Sequence, residues 1–413
     1  MRIGIVGGGI SGLVAGYLLH TDHEITLFEA EKYVGGHTHT VDVEVEGERQ
    51  AVDTGFIVYN DWTYPNFIKL LDRLGVATQP TSMGFSVRCD RSGIEYSGNT
   101  LSSLFAQRSN LFRWRFYRMI RDILRFNRQA QRVLETAAAD LSVGDYLTSE
   151  RYGVEFREQY FLPMASAIWS CPPGDLLGFP MRFIVEFYRN HGLLSVVNRP
   201  TWRVIQGGSR NYVGPLTRGF HERIRTGCPV AKVVRADDGV TITTATGDER
   251  FDEVILACHS DQAQRMLADA SPVEEELLSA FRYQANAVVL HTDPSVLPRR
   301  RAAWASWNYH LAPGETSAAT VTYNMNILQR LRTRHVFNVT LNETSRIDPR
   351  RILDTFEYSH PVFTTRKRAA QLRHGELIRH RRTSYCGAYW GSGFHEDGVN
   401  SALAVCRTFG KEL

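Results

Sequence analysis

A chain of 413 residues is longer than one hydrophobic core usually serves, so two domains are expected, with interior enough to bury a large cofactor. With 43% hydrophobic and 22% charged residues and no low-complexity tract, the composition is that of a globular protein and argues against disorder. The net charge of +4 is small for the length and comes with no nucleic-acid-reading motif, which excludes nucleic acid as the expected partner.

The chain opens on the apolar run of residues 2–6, turns through three glycines, continues with apolar residues at helical spacing over 13–19, and meets a second apolar run at 24–29. Strand, tight turn, helix and strand make the first βαβ unit of a dinucleotide-binding sheet. Residues 101–147 read as helical, and 156–169 continue with aromatics and no strand alternation, as in an inserted cap. Strands are expected at 230–234, 240–244 and 252–257, the last a buried run that returns to the first sheet. Alternating segments at 287–291, 319–323 and 336–341 point to a second sheet, and a glycine-rich tail from Tyr385 leads into a helix beginning near Gly398.

The expected fold class is therefore α/β. A Rossmann-like domain is assembled from residues 1–75, 201–265 and 381–413, interleaved with a discontinuous substrate domain that carries a helical cap in 76–200 and a mixed sheet in 266–380. Six cysteines without a CxxC pair, and an opening that reads as a strand rather than a signal peptide, point to a reducing, cytoplasmic compartment. No apolar run approaches the roughly 20 residues of a spanning helix, so membrane contact, if made, is expected at the inner surface. Oligomeric state leaves no mark in the sequence.

Two motifs carry chemistry. Gly7, Gly9 and Gly12, with Ile10 and Ser11 between them, satisfy G-x-G-x-x-G at a strand end and helix start, where glycines let backbone amides approach a diphosphate. Glu29, followed by Ala30, stands about 20 residues on, at the end of the next strand, where a carboxylate accepts hydrogen bonds from ribose hydroxyls. At the other end, Tyr385 to Ala402 places a glycine-rich strand end before a second helix start, another cradle rich in amides.

Val34-Gly35-Gly36-His37-Thr38 resembles the second fingerprint of the flavin amine oxidase and phytoene desaturase superfamily, Asp53-Thr54-Gly55-Phe56 its next shared block, and the tail its flavin-closing segment. The resemblance implies a glutathione reductase-type domain holding FAD. Gly7, Gly9, Ile10, Ser11, Gly12, Glu29, Ala30, Gly35, Gly36, His37, Thr38, Gly55, Phe56, Val230, Phe394, Asp397, Gly398 and Val399 are the implied cofactor-binding residues. Family members usually have Arg after the glycine pair, where this chain has His37. Cys386 and Cys406 lie near the tail without the usual covalent flavin context, so noncovalent FAD is expected. More narrowly, GFHEDG, DTGFIVYN, WNYH and TYNMNILQ resemble a bacterial group of FAD-binding proteins, some linked to desaturation of methyl-branched fatty acyl chains during furan fatty acid biosynthesis.

Two departures separate the chain from the amine oxidase pattern. No lysine occurs between Lys232 and Lys367, where such enzymes keep one on the substrate sheet, and His395 stands at the position of an aromatic cage residue. His395 is the candidate catalytic residue, as an acid/base or a substrate-orienting group, beside the plainer reading of a neutral histidine bonded to the flavin loop. Tyr59, Trp169, Trp307 and Tyr323 are candidates for a pocket suited to a lipophilic small molecule or phospholipid acyl chain, although most aromatics of the chain are ordinary core. Over 111–132, Arg118, Arg121, Arg125, Arg128 and Arg132 share one helical face and Phe112, Phe116, Ile120, Ile123 and Leu124 another, reading as a solvated cap helix or as one lying on an anionic bilayer. His37, His39 and His310 do not gather three ligands, so no metal is expected. Three functions follow: an FAD-dependent dehydrogenase of a lipophilic substrate such as a methyl-branched fatty acyl chain; an amine oxidase releasing imine and hydrogen peroxide; and a flavin-binding partner protein without turnover.

Overall fold

The protein is described from a computed structural model over residues 1–136, 141–169, 171–195, 197–312, 320–362 and 364–413. The first strand, β1 (Arg2–Val6), is buried beyond its first residue, as both faces of a parallel strand require. The second, β2 (Glu24–Phe28), and the later strands β3 (Ile224–Arg225), β4 (Glu253–Leu256) and β5 (Thr383–Tyr385) complete a parallel sheet in the order β3-β2-β1-β4-β5. Strands widely separated in the chain thus lie side by side, with Ile5 opposite Leu27 on one flank and Ile255 on the other.

Helix α1 (Ile10–Leu19) covers one face and is buried on nine of its ten residues. Its close approach depends on glycine: a Cβ at Gly12 would collide with the Gly7 carbonyl, and one at Gly16 would lie 2.8 Å from the Phe220 ring. The other face is covered by an antiparallel meander of Val230–Ala236, Gly239–Thr244 and Gly247–Phe251, and a Cβ at Gly4 would meet Ile242 there at 2.7 Å. Arg235 locks meander to sheet, donating to both Glu274 carboxylate oxygens, at 2.6 and 2.9 Å, and to the Thr383 hydroxyl at 2.9 Å. The pair is almost fully buried, so removing either partner alone costs about 3–5 kcal/mol.

The second sheet has seven strands in the order 352–361, 283–291, 338–341, 321–324, 307–311, 85–89 and 94–97. All neighbours are antiparallel except 85–89 against 307–311. The cap rests on this sheet, built around Phe126, Phe156, Phe161, Met181 and Tyr188. A hairpin (Thr40–Val45 and Glu48–Asp53) and a small sheet of 59–60, 202–205 and 78–80 lie between the two halves in sequence.

The α/β class and the interleaved flavin-type fold are as expected, and several details differ. The helical stretch 101–147 is divided: helix Leu101–Leu104, a tight turn at Arg108–Phe112, helix α2 (Trp114–Val133) and helix Val143–Ser149, with 137–140 outside the described residues. The expected strand at 319–323 begins at Val321, and Ala319 lies outside the described residues. The tail helix, α3 (His395–Arg407), starts three residues before Gly398.

The five arginines of α2 expected on one face, of its six, do not share it. Arg118 turns inward to Glu155 and Arg125 lies over the Tyr152 ring at 4.0 Å, while Leu124 is exposed.

Candidate functional site

At the amino end of α1, Gly7 has φ +109°, a conformation L side chains rarely adopt, and a Cβ there would lie 2.7 Å from the Ala257 carbonyl. Gly9 caps the helix without any side chain and faces open space, so the first-turn amides are left for a ligand. The Gly8 N–H donates to Glu29 Oε2 at 2.6 Å and the Glu31 N–H to Oε1 at 2.8 Å. Burial raises the Glu29 pKa while these donors lower it, which leaves a fixed, partly desolvated acceptor at the end of β2. Ala30 beyond it is exposed, and Val230 starts the meander two residues after Cys228, whose N–H donates to the Glu29 carbonyl.

The glycine pair crosses over this turn. The Gly35 N–H donates to the Gly8 carbonyl at 2.9 Å, and Gly36, at φ +58°, approaches so closely that a Cβ would lie 3.2 Å from Gly9 Cα. His37 follows, half-buried, its enclosed Nε2 without a hydrogen-bond partner and its ring 5.7 Å from His360 and 6.2 Å from His259. Burial, reinforced by the neighbouring imidazoles, pushes His37 well below the ordinary histidine value. His39, adjacent in sequence, turns instead to Thr54 and Tyr358.

Gly55 and Phe56 run along the 37–39 loop, where the Phe56 N–H donates to the His37 carbonyl at 2.6 Å. Their neighbour Asp53 ties three segments together, accepting from Thr40 Oγ1 at 2.6 Å and from the Ser209 amide at 2.8 Å, and burial pushes its pKa up to about 6.

The carboxy-terminal motif joins from the opposite side. The Ser11 hydroxyl donates to the Gly398 carbonyl at 2.9 Å, and a Cβ at Gly398 would lie 2.7 Å from Ile10. Val399 is buried in the same core as α1. The Phe394 N–H donates to Asp397 at 2.9 Å, and the Phe394 ring stacks on Phe187 of the cap at 5.3 Å. Burial pushes Asp397 up to about 6, partly opposed by Lys367, a buried amine brought down to about 7 by desolvation. Glu396 is a cap: it accepts the Asn66 and Phe67 N–H groups at the start of the Pro65–Leu74 helix.

His395 sits where the motifs meet. Its Nε2 lies 2.9 Å from the Tyr212 hydroxyl and 3.1 Å from Thr38 Oγ1, themselves 2.5 Å apart, and its ring stacks on Phe56 at 3.6 Å. Desolvation pushes it down to about 3, so at neutral pH it is an uncharged hydrogen-bonding group. Thr38, Phe56 and His395 were legible as candidates, whereas Tyr212 and Lys367 were not. Tyr212 lies 183 positions from its partner, and Lys367 stands between two arginines in a run that reads as solvated surface.

The four pocket candidates are spread over three cores. Tyr59 packs with Tyr64 and Phe67 beside α1, Trp169 packs within the cap against Phe179, Phe183 and Phe187, and Trp307 meets Tyr323 edge-on at 5.0 Å on the seven-stranded sheet. Among the described residues no three His, Cys, Asp or Glu side chains converge as a metal set. Burial raises the thiols of both tail cysteines, Cys406 to about 12.

These residues fit a dinucleotide: an uncapped glycine turn with open space before it, a fixed carboxylate at the ribose distance in sequence, and a buried histidine nitrogen with no hydrogen-bond partner beside the turn. Comparison with known proteins agrees. The family described as flavin containing amine oxidoreductase matches residues 10–341. A Mycobacterium tuberculosis protein bearing the name flavin-containing monoamine oxidase AofH is 26% identical over 268 residues, 61% of this chain and 56% of that protein, so the match spans little over half of the relative's length. Among solved structures, cyclohexylamine oxidase from Brevibacterium oxydans superimposes with a TM-score of 0.69 at 14% identity over 99% of both chains. A CLA-producing fatty acid isomerase from P. acnes does so with a TM-score of 0.67 at 15% identity, over 99% of this chain and 98% of that one. With most of its length matched by the family, from the helix of the glycine turn to the seven-stranded sheet, the chain belongs to the flavin containing amine oxidoreductases.

Proposed function

We propose that the chain is an FAD-dependent oxidoreductase that dehydrogenates a lipophilic substrate, with a methyl-branched fatty acyl chain as the substrate class. Bound FAD supplies the two-electron acceptor for a substrate C–H bond. Glu29 would hold the adenosine ribose, the first-turn amides of α1 with Gly35 and Gly36 the diphosphate, and the start of α3 the flavin edge. His395 acts as a positioning residue: Tyr212 and Thr38 fix its Nε2, Phe56 fixes its plane, and its low proton affinity keeps it from serving as a base at neutral pH.

The observation that carries the lipophilic reading is the sheet side of the molecule. Trp307, Tyr323, Phe85, Met83 and Val58 are partly buried apolar side chains packed against one cluster, and no lysine occurs from 233 to 366. Such a surface suits an uncharged chain better than an ammonium ion. The fatty acid isomerase of similar fold is consistent with it. Amine oxidation is the second reading, favoured by the family and by the names of the monoamine and cyclohexylamine oxidases.

One anaerobic experiment separates them. Bleaching of the flavin band near roughly 450 nm by methyl-branched phospholipids and not by primary or secondary amines is the expected result. Bleaching by amines alone overturns the lipid assignment, and a purified protein that binds no flavin overturns the oxidoreductase reading.

A further inference from the structure

Five exposed large apolar side chains gather on one short stretch. Phe112 is 88% exposed and Trp114 64%, and Leu111, Tyr117 and Leu124 are exposed with them. This exposure does not come from a frayed helix, since Phe116, Met119, Phe126, Ala130 and Val133 anchor the opposite side of α2 in the cap. The outward stripe of α2 reads Trp114, Tyr117, Arg121, Leu124, Arg128, at the i, i+3, i+7 spacing of one helical face.

Charge along this stretch is strongly basic, with Glu155 facing Arg115 and Arg118 from outside it. Residues 101–133 contain eight arginines and a single acid, Asp122, which is buried and accepts the Gly153 N–H. Arg113 and Arg115 stand at the start of α2 with no acidic residue in its first turn, against the helix dipole and so against folding stability. Among the described residues Arg108, Arg128 and Arg132 have no acidic partner. The guanidinium groups of Arg115 and Arg118 lie 5.6 and 5.2 Å from the Trp114 ring. A groove of about 380 Å³ lies beside Trp114, lined by Ile94, Phe112, Arg113, Trp114, Arg115 and Glu155.

We propose that this surface docks the protein onto an anionic phospholipid bilayer, with Phe112 and Trp114 entering the acyl boundary and the arginines meeting headgroup phosphates. An exposed Trp flanked by Arg is the side-chain pair suited to a boundary that is apolar on one side and anionic on the other. Nucleic acid would match the charge and leave Phe112 and Leu124 unused. No helix of the described residues is long and apolar enough to cross a membrane, so the contact is peripheral. The proposal rests on this surface alone and holds whichever substrate the flavin site takes.

The test is flotation of the flavin-loaded full chain with vesicles of phosphatidylcholine, alone or mixed with phosphatidylglycerol. Binding is expected only to the mixed vesicles, weakening as salt rises, lost in the double variant Phe112→Ser/Trp114→Ser, and lowered by at least roughly tenfold in Arg115→Gln/Arg121→Gln/Arg128→Gln. Lipids brominated on their acyl chains should quench fluorescence in the parent protein and less in Trp114→Phe. Retained flavin absorbance shows that each variant is folded. Parent protein that stays off mixed vesicles, vesicle binding unchanged in the double variant, or a solution dimer that the same substitutions dissociate would overturn the proposal.

Discussion

Replacing Glu29 by Gln separates what the carboxylate does for the fold from what it does for the cofactor. In the folded chain each carboxylate oxygen accepts one backbone N–H, from Gly8 and from Glu31. A glutamine oxygen can serve only one of them, and its amide N–H groups then face the other donor, an unsatisfied contact of about 1–3 kcal/mol. Loss of the buried charge works in the opposite direction, because desolvation raises the Glu29 pKa and so already favours a neutral group there. The two effects offset, and the apoprotein melting midpoint should move by no more than about 2 °C.

FAD has no such compensation, since its ribose hydroxyls lose a charged acceptor. At about 2–3 kcal/mol, the dissociation constant rises about 30- to 150-fold. The assay is titration of apoprotein with FAD, followed by quenching of flavin fluorescence, beside a melting curve of each apoprotein. A dissociation constant within about threefold of the parent's would refute the ribose assignment. A collapsed melting midpoint would show instead that the carboxylate serves the fold.

Two further outcomes follow from the packing and the charges. Gly398→Ala should push α3 away from Ile10 and Ser11 and destabilise the protein by about 1–3 kcal/mol, with weaker FAD retention, while Gly214→Ala, which meets nothing within 4 Å, serves as the control; equal melting midpoints would contradict the close contact. Acidification should destabilise the apoprotein: His191, His291 and His360 are brought down to about 4 and His395 to about 3, so the unfolded chain binds more protons below about pH 6.5. Between about pH 7 and 5.5 these four lose about 1.2 kcal/mol each. Asp53 and Asp397, raised to about 6, take up protons in the folded state over the same range and offset about 1 kcal/mol apiece. A net loss of about 3 kcal/mol should appear in urea unfolding, and a flat profile would mean that the histidines are hydrated.

The parts of the site that local backbone geometry dictates were legible in the sequence. Gly7, Gly9 and Gly12 could be placed because a turn with positive φ and a helix pressed on a strand leave no room for side chains, and Glu29 because β2 has a fixed length. The Thr40–Val45 and Glu48–Asp53 hairpin was not among the expected strands, although Val41, Val43 and Val45 alternate with Asp42 and Glu44 ahead of the turn at Gly47. The strand at Ile352–Pro361 was harder to read, being an edge strand with no fully buried position. His37 was visible beside His39, yet its ring neighbours His259 and His360 come from other elements, and only tertiary structure brings them together. The aromatic residues could be counted but not assigned, because Tyr59, Trp169 and Trp307 satisfy the same composition rule in three different cores.

The hydrogen bond from Ser11 to Gly398 joins residues 387 positions apart, and this sets the timing of assembly during translation. The glycine turn leaves the ribosome hundreds of residues before the helix that closes beside it. Throughout that interval α1, apolar on nearly every side, has only part of its final cover. Nascent chains must therefore keep this segment protected until α3 has been made. Flavin capture through both arms becomes a late event, and a chain stalled before α3 would remain without its yellow colour.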